Sequence, residues 1–182
     1  ALLCGRLRVE AAPLDGRVSD LGLYQQIANG IHAGGSYYAV AANALRSGGY
    51  PLRPFLAFRL PTLAMVQGWL PEWGVSALAA MLVIAVAIAW GWQLRGTIDR
   101  PVPISLALIL LAAGMVAALQ PSLLYFHELW VGLLIALSLG LREPGRWLDS
   151  VALGLAAMLV RETAAAYAVL MLAMAWRDGE RR

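Results

Sequence analysis

The chain has 182 residues, of which 60% are hydrophobic and only 14% are charged, and its mean hydropathy is +0.68. Soluble domains carry about 25% charged residues, so this composition excludes a disordered chain, a nucleic-acid-binding domain and most water-soluble enzymes. One cysteine and two histidines exclude a disulfide framework and do not indicate a metal site or another cofactor, although a divalent metal stays compatible with the sequence. The composition predicts an all-α, multispanning membrane protein.

The first part of the chain, residues 1–74, is mixed in character and punctuated by glycine and proline. Ala1–Gly5 is typical of the end of an apolar segment, so we interpret the chain as a piece of a longer protein that lacks most of its first transmembrane helix. Apolar stripes predict a helix over 20–33, capped by Ser19, and a second helix that Ser36 caps and that runs to about Ser47. Both are typical of helices that lie along a membrane surface. We expect residues 1–74 to be an extracytoplasmic loop with two interfacial helices.

The second part, residues 75–182, predicts a transmembrane helical bundle. Charge-free runs predict spans over 75–94 and 103–119, and a third predicted span, 122–141, follows a proline break and carries His127 and Glu128 in its first turns. Tryptophan and tyrosine are enriched at membrane–water interfaces, so we interpret the tryptophans and the pair Tyr37–Tyr38 as interfacial anchors.

The last apolar stretch, 147–176, contains Arg161 and Glu162, which divide it into runs too short to span a bilayer alone. The sequence therefore predicts a broken helix or a hairpin of two short helices there. Short arginine-rich loops stay cytoplasmic, which places the loops at 95–100 and 142–146 inside and favours the hairpin. Residues 6–74 are then on the outer side, and we expect the protein in a bacterial inner membrane.

Three groups of polar residues share one predicted level, the outer side of the bilayer. They are Asp20 with Tyr24, His127 with Glu128, and Arg161 with Glu162. Ionisable groups at membrane depth are costly and usually face a water-filled cavity or a partner, so we expect one outward-facing polar cavity. Each of these residues also has a structural interpretation. Asp20 would complement the dipole of its helix, and His127 and Glu128 would be solvated residues without a functional role. Arg161 and Glu162 point about 100° apart, so each pairs better with another group than with its neighbour.

The order of these segments resembles the N-terminal half of the glycosyltransferase-C superfamily, integral membrane enzymes that use polyprenyl-phosphate-linked sugars. The resemblance rests on Asp20-Leu-Gly-Leu-Tyr24, Gly48 to Ala64 with Arg59-Leu-Pro-Thr, His127-Glu-Leu-Trp130 and Val160-Arg-Glu-Thr-Ala164. Within this superfamily, the chain is similar to the branch of the protein mannosyltransferases and the lipid A aminoarabinose transferases. The resemblance implies transfer of a hexose or pentose from a lipid-linked donor to an acceptor on the outer face.

The resemblance also implies roles for individual residues. The superfamily carries a catalytic acid in its first outer loop, so Asp20 is the candidate base, with Glu128 as the alternative. Sugar transfer needs a carboxylate to deprotonate an acceptor hydroxyl and cations to stabilise the leaving phosphate, for which Arg59 and Arg161 are candidates. The predicted substrate-binding residues are these two arginines together with Tyr24, His127 and Glu162.

A different class of function fits the same residues. In a transporter or flippase, Arg161, Glu162, His127 and Glu128 would form a substrate or proton pathway, and a broken helix is typical of such proteins. An outer loop of about 70 residues is unusual for a transporter, so we favour the transferase. In either case we expect membrane lipid as a partner and no nucleic acid.

Overall fold

The computed structural model describes residues 19–52, 58–143, 147–177 and Gly179. In these ranges the chain forms helices and no strand, which confirms the all-helical prediction. In chain order the helices are α1 (Asp20–His32), α2 (Tyr37–Ser47), α3 (Pro61–Trp69), α4 (Glu72–Thr97), α5 (Pro101–Met115), α6 (His127–Gly140), α7 (Leu148–Val160) and α8 (Ala165–Arg177). Short 3-10 turns cover Val116–Leu119, Pro121–Tyr125 and Glu162–Ala164. The predicted end of a first transmembrane helix at 1–5 lies outside the described residues.

Helices α1, α2 and α3 pack into one small unit. Ser19 caps α1 as predicted, because its hydroxyl accepts a hydrogen bond from the Gly22 amide at 3.2 Å. The apolar faces meet in a common core of Leu23, Ile27, Ile31, Ala41, Ala44, Leu45 and Ala64. The predicted stripes therefore bury one another in part, and the placement of the two helices on a membrane surface stays a prediction.

The two longest apolar helices follow this unit. By length and composition, α4 and the segment Pro101–Leu119 are able to cross a membrane. Only 28% and 11% of their most apolar 18-residue windows are buried within the chain. Prolines 101 and 103 fit the start of α5, because the first turn of a helix has no internal partner for the missing amide hydrogen.

The third predicted span, 122–141, is not one helix. Pro121–Tyr125 forms a 3-10 turn, Phe126 is extended, and α6 begins only at His127. The carbonyl oxygen of Leu124 accepts hydrogen bonds from the Gln67 amide at 2.6 Å and from the Trp130 indole at 2.7 Å. The side chains of Gln67 and Trp130 thus take the place of the backbone amide that would bind this carbonyl oxygen in a continuous helix. Trp130 is consequently buried, which corrects its interpretation as an interfacial anchor.

The last two helices form a hairpin that packs against α6. Arg161 is extended after α7 ends, and α8 runs back so that the Tyr167 ring faces Gly154. In this interface the buried hydroxyl of Ser138 hydrogen bonds to Tyr167 at 2.7 Å and to Ser150 at 3.0 Å. Each arm has 13 residues and is about 20 Å long, shorter than a bilayer core of about 30 Å.

Candidate active site

The seven predicted site residues lie near one another, and all except Tyr24, which lies inside α1, are at or next to the end of an element. Asp20 begins α1, Arg59 precedes α3, and His127 begins α6. Arg161 and Glu162 lie in the break between α7 and α8. A cavity of about 290 Å³ is lined by Asp20, Tyr24, Arg59 and His127. Glu162 adjoins it through its ion pair with Arg59, whereas Glu128 and Arg161 pair with each other and do not line it.

Arg59 is held by contacts from three other elements. The neighbouring Tyr24 side chain is the largest cause that raises the pKa of Arg59. Its Nη1 lies 3.9 Å from Oε1 of Glu162, and both side chains are about one-third exposed. The Tyr37 hydroxyl donates to the backbone carbonyl oxygen of Arg59 at 2.5 Å. Arg59 therefore presents a fixed positive charge to the cavity, with a loosely associated carboxylate beside it.

Arg161 forms an ion pair with Glu128 across the start of α6. Its side chain is 18% exposed, whereas that of Glu128 is 55% exposed. Neighbours Arg161 and Glu162 thus bind different partners, as their angular separation on a helix predicts. Glu128 faces Arg161 and does not line the cavity, which favours Asp20 over Glu128 as the candidate base.

His127 is buried, so its interpretation as a solvated residue is wrong. Its side chain is 3% exposed and lines the cavity, with the ring centroid 5.3 Å from that of Tyr24. Neither ring nitrogen has a hydrogen-bonding partner among the described residues. A buried polar group without a partner costs about 1–3 kcal/mol, so this imidazole is suited to a polar group of a ligand in the cavity.

Asp20 lies at the exposed mouth of the cavity. Its Oδ1 accepts a hydrogen bond from the Tyr50 hydroxyl at 2.6 Å. The dipole of α1 also favours a carboxylate at this position, so the structural and functional interpretations of Asp20 are compatible. The bound Oδ1 fixes the orientation of the carboxylate and directs Oδ2 to other partners.

Sequence reasoning missed three residues that shape the site. Tyr37 packs beside the core of α1 and α2 and holds Arg59, so it is not an interfacial anchor, whereas Tyr38 is exposed. Tyr50 orients Asp20, and Gln67 lines the cavity from α3. No motif marks these residues, because their contacts join positions 22 to 57 residues apart.

The cavity can hold an amphiphile with a polar end. Its remaining walls include Leu23, Ile27, Ala41, Leu45 and Phe58, which are apolar. Within the described ranges, no three His, Cys, Asp or Glu side chains are close enough to hold a metal ion. Comparisons of this chain with protein-family models, curated proteins and solved structures find no match.

Proposed function

We propose that the chain belongs to an integral membrane glycosyltransferase that moves a sugar from a polyprenyl-phosphate donor to an acceptor on the outer face. The observation that carries this proposal is the composition of the first cavity. It combines an accessible carboxylate, Asp20, with a fixed guanidinium, Arg59, and a buried, unpartnered imidazole, His127. Its other walls are largely apolar.

The exposed faces of α4 and α5 support a membrane location. Six large apolar side chains on these two helices are each more than half exposed. They are Met81, Ile84, Ile88, Leu106, Ile109 and Leu110. A core helix of a soluble protein would bury such residues, because large exposed apolar patches favour association or a lipid environment. Lipid tails would cover these faces, and the arginine distribution supports the cytoplasmic placement of the opposite end.

The donor phosphate fits beside Arg59. Guanidinium matches phosphate oxygens in a two-pronged geometry, and the partly exposed pair of Arg59 with Glu162 is weak enough for a phosphate to replace the carboxylate. His127 supplies a further polar contact inside the cavity. The isoprenoid tail would lie along the apolar side chains of α1 and α2, such as Ile27 and Leu45.

Asp20 would act as the general base. Its carboxylate takes the proton of the acceptor hydroxyl as the hydroxyl oxygen forms a bond to the anomeric carbon of the sugar. The bond between that carbon and the phosphate oxygen breaks, and the electron pair stays on the leaving polyprenyl phosphate, which Arg59 stabilises. Arg161, the other predicted phosphate ligand, is paired with Glu128 and does not line this cavity, so Arg59 is the cation assigned to the phosphate.

Asp20→Asn tests this proposal in the full-length protein in nanodiscs. Asparagine keeps an oxygen for Tyr50, so we expect stability within about 0.5 kcal/mol of the wild type. Transfer of radiolabelled sugar from a polyprenyl-phosphate donor should fall by roughly 10²–10⁴-fold. Asp149→Asn is the matched control, since Asp149 lies in the first turn of α7, away from the cavity. Undiminished transfer by Asp20→Asn would refute the assigned base.

A transporter is the second candidate, because the ion pair of Arg161 with Glu128 lies beside a helix break. Uptake measured in sealed proteoliposomes separates the two functions. A transferase should move radiolabel onto an acceptor without accumulating solute inside the vesicles. Accumulation that depends on Arg161, without any transfer, would support the transporter.

A further inference from the structure

A second cavity lies on the opposite side of α1. It has a volume of about 480 Å³ and is enclosed by α1, the end of α3, the start of α4 and the turn Pro121–Tyr125. Leu23, Tyr24 and Ile27 of α1 face the first cavity, whereas Gln25 and Asn29 face the second. Helix α1 is therefore a wall between two cavities with different linings.

The second cavity presents polar side chains that are accessible to a ligand, since Asn29, Glu72 and Ser122 are exposed and Gln25 and Tyr125 are partly exposed. The side chains of Gln25, Asn29, Ser122 and Tyr125 make no hydrogen bond within the part of the chain that the structure describes, and Glu72 has no ion-pair partner there. Two carboxamides, two hydroxyls and a carboxylate can together donate to and accept from one ligand.

The charge of this lining excludes the phosphate end of a donor. Among the described residues, no lysine or arginine borders the second cavity, and Glu72 supplies a negative charge. The carboxylate of Glu72 contributes, after burial, to a raised pKa of Tyr125, which places the two groups near one another. Hydroxyl groups of a sugar, which both donate and accept, match carboxamides and a carboxylate, and the Tyr125 ring offers a face to the sugar carbons.

Gln67 connects the two cavities. Its side chain borders both, and its Nε2 donates to the carbonyl oxygen of Leu124, which leaves Oε1 as an acceptor. A ligand in the second cavity would therefore lie next to the site of the first. His32, whose Nδ1 donates to the carbonyl oxygen of Gly68 at 2.9 Å, closes the far side.

We propose that the second cavity binds a neutral carbohydrate through Gln25, Asn29, Glu72 and Tyr125, and that this carbohydrate is part of the acceptor. Binding of the carbohydrate stands on the cavity itself, whereas its assignment as the acceptor rests on the proposed function. The two cavities then differ in the charge of the substrate that each binds. The anionic donor lies beside Arg59, and the neutral acceptor lies on the other side of α1.

Saturation-transfer NMR of the protein in nanodiscs tests this inference without any donor. The probes are three neutral tetrasaccharides, built of glucose, galactose or mannose, with inorganic phosphate and choline as charged probes. At least one tetrasaccharide should bind, and the double variant Gln25→Leu/Asn29→Leu should weaken that binding at least fivefold. Gln26→Leu is the matched control, because Gln26 is exposed on α1 and borders neither cavity.

Two results would overturn the inference. One is that no tetrasaccharide binds. The other is that the double variant, with unchanged thermal unfolding, still binds the tetrasaccharide as the wild type does or weakens the binding of a charged probe instead. Asp20→Asn should leave sugar binding intact, since Asp20 borders only the first cavity. Loss of transfer by Asp20→Asn with no sugar binding by the wild type would remove this inference and leave the proposed function standing.

Discussion

Arg59 is positioned by its backbone as well as by its charge. The hydroxyl of Tyr37 donates to the Arg59 carbonyl oxygen just before α3 begins, while Tyr24 and Glu162 contact the guanidinium. The phenol is half-buried beside the core of the first three helices, and burial is the main cause that raises the pKa of Tyr37 to about 12. A neutral, donating phenol is thus kept in place across the physiological pH range.

Tyr37→Phe should destabilise the protein by about 0.5–1.5 kcal/mol, because one hydrogen bond is lost without a change in packing. The raised pKa favours the protonated phenol in the folded state. The contribution of Tyr37 is therefore complete below pH 10 and is lost as the pH rises through about 12. Thermal unfolding against pH measures the difference from the wild type. Tyr38→Phe, at an exposed position, is the control, and equal effects of the two changes would contradict the assignment.

Residue-level prediction from the sequence succeeded where charge decides the environment. The polar residues that were predicted to share one level lie near one another, and Arg161 and Glu162 take different partners. Which carboxylate pairs with which arginine could not be predicted, because Glu128 and Arg161 are 33 positions apart and meet only through the packing of α6 on the hairpin of α7 and α8. The functional roles of all seven residues stay predictions.

At the level of elements, α3 contacts α1 at a glycine. A Cβ atom on Gly68 would lie 2.5 Å from Cγ2 of Ile31, far inside van der Waals contact. The small residue thus lets the two helices approach closely, and it places Gln67, its neighbour, between the two cavities. Both cavities depend on this contact.

Gly68→Ala should destabilise the protein by about 1–3 kcal/mol, because the added methyl group forces α1 and α3 apart. Gly91→Ala in α4 is the matched control, since its Cβ would meet no atom within 4 Å. That control should be neutral or stabilising by up to about 1 kcal/mol through helix propensity. Thermal unfolding in the same detergent compares both variants. A Gly68→Ala protein as stable as the wild type would contradict the packing of α1 on α3.

Local features predicted some elements well and long-range contacts decided the others. Ser19 and the apolar stripe were sufficient to locate α1, because a cap and its helix are adjacent in sequence. The split of the predicted span 122–141 depends on Gln67, 57 positions away from the carbonyl that it binds. The burial of the stripes of α1 and α2 against each other likewise required knowledge of which helices are neighbours.

At the scale of the whole molecule, the α4 and α5 helices leave most of their apolar surface outside the protein core. A bilayer would remove that surface from water, which supports the proposed membrane location. The short arms of the hairpin fit the same arrangement, because Arg161 and Glu162 at their turn would lie at the depth of the site.

Leu110→Arg distinguishes a lipid-facing helix from a solvent-exposed one. Leu110 is 65% exposed in the middle of Pro101–Leu119, and an arginine there should cost about 2.5–3.5 kcal/mol on insertion. Leu119 is similarly exposed but lies at the end of the segment. Leu119→Arg should therefore cost far less free energy of insertion, because the arginine side chain can reach the interface. Resistance to carbonate extraction measures insertion. Equal membrane abundance of the two variants would contradict a membrane-spanning segment.

The recognition of a lipid phosphate beside Arg59 is the central claim, and native mass spectrometry of the protein with decaprenyl phosphate and decaprenol tests it most directly. Charge-assisted hydrogen bonds contribute about 1.5–3 kcal/mol, so the phosphate should bind at least ~10-fold more tightly than the alcohol. Arg59→Gln should remove this preference, whereas Arg95→Gln, at the exposed end of α4, should retain it. Equal binding of the two lipids by the wild type, or an unchanged preference in Arg59→Gln, would contradict the proposed site.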